Sequence, residues 1–203
     1  MKVAIIKYNA GNVQSVLYAL QRLGIHAFVT DVHEEIKSAD KVIFPGVGNA
    51  LSAMEYLKSR NLDELIRSLQ QPVLGICLGL QLLCESSEEG DTSCLGIFKT
   101  TVKKFDSDVF QNKNLVPVKI PHMGWNTIRN LSSPLMEGVL EESFVYFVHS
   151  YYADVCDETI AATEYINPFS AALHKNNFYG VQFHAEKSAA TGERILSNFL
   201  NNS

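Results

Sequence analysis

The sequence contains no run of lysine and arginine, and its 17 basic residues are outnumbered by 22 acidic ones, for a net charge of -5. A protein that holds a phosphate backbone needs a basic patch or stripe, so no nucleic-acid partner is expected. Long apolar runs are also missing. The N-terminal apolar stretch is broken by Lys7 and is too short for a secretory signal, and no later run reaches the length of a bilayer. The expectation is a cytoplasmic protein without membrane contact. The four cysteines, Cys77, Cys84, Cys94 and Cys156, form no C-x-x-C pair and no regular framework. That spacing argues against structural zinc and against a disulfide scaffold, so reduced thiols and no metal site are expected. Leu51 stands where a G-x-G-x-x-G fingerprint beginning at Gly46 would need its last glycine, and there is no G-x-x-x-x-G-K phosphate loop. No cofactor is expected.

Repeats and low-complexity linkers are absent too, and 203 residues suffice for one ordinary core. Residues 1–203 read as one domain. Its first half alternates short apolar runs (residues 3–8, 27–30, 41–44 and 72–76) with helical faces. Val13, Val16, Leu17 and Leu20 mark the first helix, which Gly24 stops. Ala50, Leu51, Ala53, Met54 and Leu57 mark another, and Leu62, Leu65, Ile66 and Leu69 a third. From residue 97 the texture turns β-rich, with runs at 101–105, 116–120, 144–149, 161–163, 171–173 and 178–183. The expected class is α/β, a three-layer domain with a central mostly parallel sheet and an antiparallel β-rich section in the C-terminal half. The polar stretch 85–93 reads as one exposed loop.

Cys77 falls between the apolar run ending at Ile76 and the helical stretch 78–84, bracketed by Gly75 and Gly79. An isolated cysteine is usually packing material. Two glycines at these offsets have no packing use at the end of an apolar strand, and Gly-x-Cys-x-Gly is the thiol form of an elbow that pushes one side chain into an open site. Backbone N–H groups at a helix start favour a thiolate and can receive an oxyanion. The turn Pro45, Gly46, Val47, Gly48 ends another strand; its amides could approach a substrate carbonyl, or it could be a plain connection. Gln81, one turn past Cys77, either binds substrate or is an ordinary polar helix residue. The turn at residues 8–12 is a minor clue of the same kind.

A cysteine nucleophile needs a base. His184 ends an apolar run, and Glu186 two residues on would point to the same side in extended geometry, where it can orient the imidazole. His149 also ends a strand but has no carboxylate at a useful spacing. His26, His33, His122 and His174 read as surface or loop residues. By pattern alone, Cys77, His184 and Glu186 make a thiol hydrolase or acyl transferase. The segment 121–126 gathers His122, Met123, Trp125 and Asn126, with the single tryptophan of the chain, into what reads as a loop. It could be a partner surface, although a loop tucked under the core would look the same.

Residues 45–48, 75–83 and 180–188 together resemble the class I, triad-type glutamine amidotransferases, in that family's order and over nearly the whole chain. Segments 121–126 and 146–151 and the turn at 8–12 are similar to the branch that serves histidine biosynthesis. The resemblance implies that Cys77 attacks the side-chain amide of glutamine, with His184, oriented by Glu186, moving the protons. It further implies that the Leu78 amide and an amide within Gly46, Val47 and Gly48 hold the oxyanion, and that Gln81 and the backbone at His149, Ser150 and Tyr151 bind glutamine. Ala185 departs from the family's usual proline, and Lys7 and Asn9 depart from its usual first turn. These departures leave room for a paralogue feeding a surface-sugar precursor or chorismate, and pattern alone leaves room for a hydrolase of another amide or ester. Released ammonia is mostly ammonium in water, and the chain has no motif for an acceptor, so a synthase partner is expected. The resemblance names it as a (β/α)8-barrel cyclase, joined in a heterodimer through an ammonia tunnel.

Overall fold

Period-two alternation in short apolar strands divides their side chains between two cores, one on each face of a sheet. The computed structural model describes residues 1–9, 13–106 and 119–202. The first half runs β1 (Val3–Ile6), α1 (Val13–Arg22), β2 (Phe28–Thr30), α2 (His33–Lys37), β3 (Lys41–Gly46), α3 (Ala50–Ser59), α4 (Leu62–Ser68), β4 (Val73–Cys77) and α5 (Leu78–Leu83). It continues through β5 (Ser86–Ser87), β6 (Thr92–Ser93), β7 (Thr101–Lys104), β8 (His122–Ile128), β9 (Ser143–His149) and β10 (Tyr151–Ala153). Strands β11 (Thr159–Glu164), β12 (Pro168–Lys175) and β13 (Phe178–Val181) precede the C-terminal helix α6 (Ala189–Asn202).

The main sheet has the order β11-β12-β13-β4-β3-β1-β2. Strands β2, β1, β3, β4 and β13 are parallel, and β12 and β11 extend the sheet antiparallel. Val3, Ile5, Ile43, Leu74 and Ile76 face α1 and α6, where they meet Val16, Leu20, Ile195 and Phe199. Ala4, Ile6, Val42, Phe44 and Val73 face the other way, against Met54 and Leu57 of α3, Ile66 of α4 and Leu80 of α5. Strands β1, β3, β4 and β13 are buried along their whole length, as parallel strands covered on both faces must be. The α/β class and the antiparallel C-terminal section thus match the sequence expectation. Among the described residues no helix is long and apolar enough to cross a membrane, and no cluster of His, Cys, Asp and Glu could hold a metal ion.

Three expectations are corrected. Residues 121–126 are not a loop: they lie largely in β8, which pairs antiparallel with β9 from His122–His149 to Ile128–Ser143. Glycine at 124 and polar residues at 126 and 127 hide the alternation that would have marked a strand. The stretch 85–93 is not a plain exposed loop but holds the β5/β6 hairpin, with Ser87 and Thr92 buried. Its polar composition serves the turn itself, since the Glu89 N–H donates to Ser87 Oγ and the Thr92 hydroxyl donates to the Glu89 carbonyl. Helix α2 had no counterpart in the sequence reading. Of the expected strand at 116–120, residues 116–118 lie outside the described residues, as do 10–12 of the first turn; residues 119 and 120 are not in a strand.

Gly79 is where α5 touches the sheet. A Cβ there would lie 1.7 Å from the Phe44 carbonyl oxygen, a backbone atom of β3 that cannot step aside. Gly79→Ala is expected to destabilise the protein by about 3 kcal/mol, the upper end of ordinary overpacking. A lowered urea midpoint with an unchanged slope would show it, and an unchanged midpoint would contradict the packing described.

Candidate active site

Strand β4 stops at Cys77 in the middle of the sheet, and the chain turns at once into α5. Cys77 has φ 54° and ψ -109°, a conformation that strains any residue but glycine and typically costs about 1–3 kcal/mol. Close packing holds it there, because Gly75 lets the backbone of Gly79 and Leu80 approach to where its own Cβ would be. The parallel register sets Gly46 beside Cys77 and Val181 beside Ile76. The segments that follow β3 and β13 therefore flank the thiol from both sides.

His184 comes three residues after β13 ends, and its Nδ1 lies 2.8 Å from Glu186 Oε1, with both side chains buried. The geometry differs from the extended pairing expected. A 3-10 turn over Ala185–Lys187 carries the carboxylate round to the ring, and it forms with alanine where the family has proline. The backbone of His184 is fixed by donating to the Tyr146 carbonyl and by accepting from the Ser188 hydroxyl. With Nδ1 turned to Glu186, the other ring nitrogen is left for Cys77, which lines the same cavity and whose thiol donates to the Val148 carbonyl at 3.8 Å. Burial alone would lower the His184 pKa, but the hydrogen bonds and charges of Cys77 and Glu186 override it and raise it to about 10. An imidazolium held between a sulfur and a carboxylate is the arrangement that acyl chemistry at a thiolate requires.

A cavity of about 320 Å³ opens over Cys77, small among ligand pockets and suited to an amino acid. Val47, Gly48, Leu78, Gln81, His149, Ser150 and Tyr151 line it with Cys77 and His184, so these expected residues do converge. Gly46 does not reach the cavity. It lies under the loop, where a Cβ would sit 2.0 Å from the Tyr8 hydroxyl. Gly48, by contrast, has φ 128° and open space around it.

The match to a family model settles what kind of protein carries this site: the model for class I glutamine amidotransferases covers residues 4–203. The chain belongs to that family. This amidotransferase is 60% identical over 200 residues to the imidazole glycerol phosphate synthase subunit HisH of Bacteroides thetaiotaomicron, covering 98% of this chain and 99% of that one. It is 47% identical to the subunit of the same name from Shewanella loihica, over 97% of this chain and 88% of that one. In fold it is similar to the PurLQS structure from Thermotoga maritima, with a TM-score of 0.73 at 15% identity over 98% of this chain and 97% of that one.

Not all of the amidotransferase's site was visible in the sequence. Glu89, Val148 and Lys187 also line the cavity. Glu89 arrives on the β5/β6 hairpin, and its Oε2 accepts from the Ala50 N–H at 2.7 Å, tying the hairpin to the start of α3 just beyond Gly48. Asn9 reaches the same helix, its Nδ2 donating to the Ser52 carbonyl. His122, expected at the surface and grouped with the partner-facing residues, is only 3% exposed. It faces inward from β8, stacks on Tyr165 and Phe147, and lies with Nδ1 3.1 Å from Nε2 of His149. Burial pushes His122 down to about 4 and His149 to about 3, so both are neutral at physiological pH. Met123 and Trp125 point the other way, 63% and 52% exposed.

Proposed function

We propose that this chain is the glutaminase subunit of an imidazole glycerol phosphate synthase, releasing ammonia at Cys77 for a (β/α)8-barrel cyclase in histidine biosynthesis, with residues 1–203 acting as one glutaminase domain. The observation that carries the chemistry is that Cys77 and His184 line one amino-acid-sized cavity, with Glu186 hydrogen-bonded to the imidazole behind it. Full-length similarity to subunits bearing the HisH name supports the pathway.

In the reaction the Cys77 thiolate adds to the carboxamide carbon of glutamine, forming a C–S bond while the carbonyl pair moves onto oxygen. The Leu78 amide and an amide of the loop 46–48 receive that oxyanion. Collapse restores the carbonyl and breaks the C–N bond, with His184 delivering its proton to the leaving nitrogen so that neutral ammonia departs. His184, now neutral, takes a proton from water, whose oxygen attacks the thioester. Glutamate leaves, and Cys77 and His184 return as thiolate and imidazolium.

Glu89 supplies negative charge at the cavity wall for the α-ammonium of glutamine. Glu89→Gln keeps an oxygen for the Ala50 N–H but loses that charge, so KM for glutamine is expected to rise about tenfold with kcat little changed. Unchanged KM in steady-state assays would place the ammonium elsewhere.

The partner reading rests on the outer face of the β8/β9 pair. Register places Met123 opposite Val148, Trp125 opposite Tyr146 and Thr127 opposite Phe144. Met123, Trp125 and Phe144 are exposed, and Val148 also lines the cavity, so an apolar ridge runs from solvent to the site. A barrel docked there would receive ammonia without its meeting bulk water. Glutaminase activity is expected to be low in the free subunit, because the 46–48 amide must turn into place about the unhindered Gly48. Cyclase binding should raise it at least roughly tenfold, which takes about 1.4 kcal/mol of differential affinity for the turned loop. The test is co-purification with a barrel cyclase and ammonia release with and without it. Equal rates would contradict the activation, and a stable complex with a different synthase would overturn the pathway.

A further inference from the structure

We infer that Gln182 is a further positioning residue of this site, presenting an amide N–H to the Cys77 sulfur and so favouring its anionic form; the inference rests on Cys77 being the nucleophile. Gln182 lies one residue past β13 and is fully buried, with Nε2 3.8 Å from Cys77 Sγ. Which end of a buried glutamine faces a sulfur is normally ambiguous, since either end could be fitted there. Here the neighbours decide it.

Gln81 Nε2 lies 2.8 Å from the Tyr151 carbonyl oxygen and 3.0 Å from Gln182 Oε1. A backbone carbonyl can only accept, so the nitrogen of Gln81 must face it, and the second Gln81 N–H then requires an acceptor on Gln182. That leaves the NH₂ of Gln182 for Cys77. The Tyr151 carbonyl is itself held by a second donor, His149 Nδ1 at 2.7 Å, and His149 Nε2 in turn accepts from His122 Nδ1. Donors from His149 and Gln81 therefore converge on the Tyr151 carbonyl and fix the Gln81 amide, from which the donor direction runs through Gln182 to the sulfur. An N–H shielded from water gains little from a neutral thiol and far more from an anion, which is how such a donor shifts the balance toward thiolate.

The other titratable groups facing Cys77 are His184 with Glu186 behind it, Tyr8 from beyond the end of β1, His149 from β9, and Glu89 and Lys187 at the cavity walls. All are retained when Gln182 alone is changed. Gln182→Glu keeps an acceptor for Gln81 and sets an oxygen against the sulfur; Gln182→Met keeps the shape and removes the amide. The test is the rate of Cys77 alkylation by iodoacetamide against pH in the full chain, with and without glutamine. The acid limb should move up by about one pH unit in Gln182→Met and by more in Gln182→Glu, a tenfold or greater slowing below the limb, while the plateau stays within about twofold. A merely structural role would lower the plateau without moving the limb. An unmoved limb in whichever variant folds, with alkylation still slowed by glutamine, overturns the inference and leaves the site reading intact. Alkylation of Cys77 that glutamine does not slow overturns both.

Discussion

Cys77→Ala is expected to lower glutamine-dependent ammonia release on the order of 10⁶-fold, the loss that follows removal of a triad nucleophile. The fold should survive it. Alanine is smaller than cysteine, the glycines that admit the strained turn are untouched, and the sheet register that places residue 77 beside Gly46 depends on backbone alone. If the proposed cyclase partner holds the acceptor chemistry, the same variant in complex with it should still make product when ammonium salt replaces glutamine. Retention of measurable glutamine-dependent activity would mean that the sulfur is not the attacking atom.

The second large effect concerns Glu186. Its carboxylate accepts from His184 Nδ1 at 2.8 Å and thereby selects the tautomer that faces Cys77. Glu186→Gln can offer an N–H in its place and favour the wrong tautomer, so a loss of about 10³–10⁴-fold in kcat is expected, by analogy with the carboxylate of a serine triad. The pH profile should change with it. His184 is raised from 6.5 to about 10, so the imidazolium proposed to protonate the leaving nitrogen persists through the neutral range, and activity should fall as pH climbs through about 10. Removing one of the charges that raise it brings that alkaline limb to lower pH. The sign for stability is the same: because the folded value exceeds the unfolded one, the contribution of His184 is fully present below about pH 6.5 and is lost as pH rises through about 10. An alkaline limb unmoved in Glu186→Gln would contradict the pairing.

The parts of this site that were legible in the sequence are the local ones. The elbow announces itself because Gly75, Cys77 and Gly79 lie within one turn of each other, and His184 and Glu186 are two residues apart. Even there the reason differed, since a 3-10 turn rather than an extended strand joins the imidazole to its carboxylate. The central strands were legible because parallel strands buried on both faces read as short continuous apolar runs.

What depends on distant segments was not legible. Glu89 belongs to a polar stretch that looks solvated and is brought to the cavity by a hairpin. His122 looked like a loop residue because Gly124 breaks the pattern of β8, and only the pairing with β9 turns its ring inward against His149. Gln182 carries no sequence signal at all; its partner Gln81 is 101 positions away, and the contact exists because β13 lies next to β4.

The most direct test of the account is to label the protein with a glutamine-analogue electrophile and map the adduct by peptide mass spectrometry. One label per chain, on the peptide containing Cys77, blocked by glutamine and absent from Cys77→Ser, is the expected result. Labelling of Cys84, Cys94 or Cys156 instead, or a Cys77 adduct that glutamine fails to prevent, would contradict it.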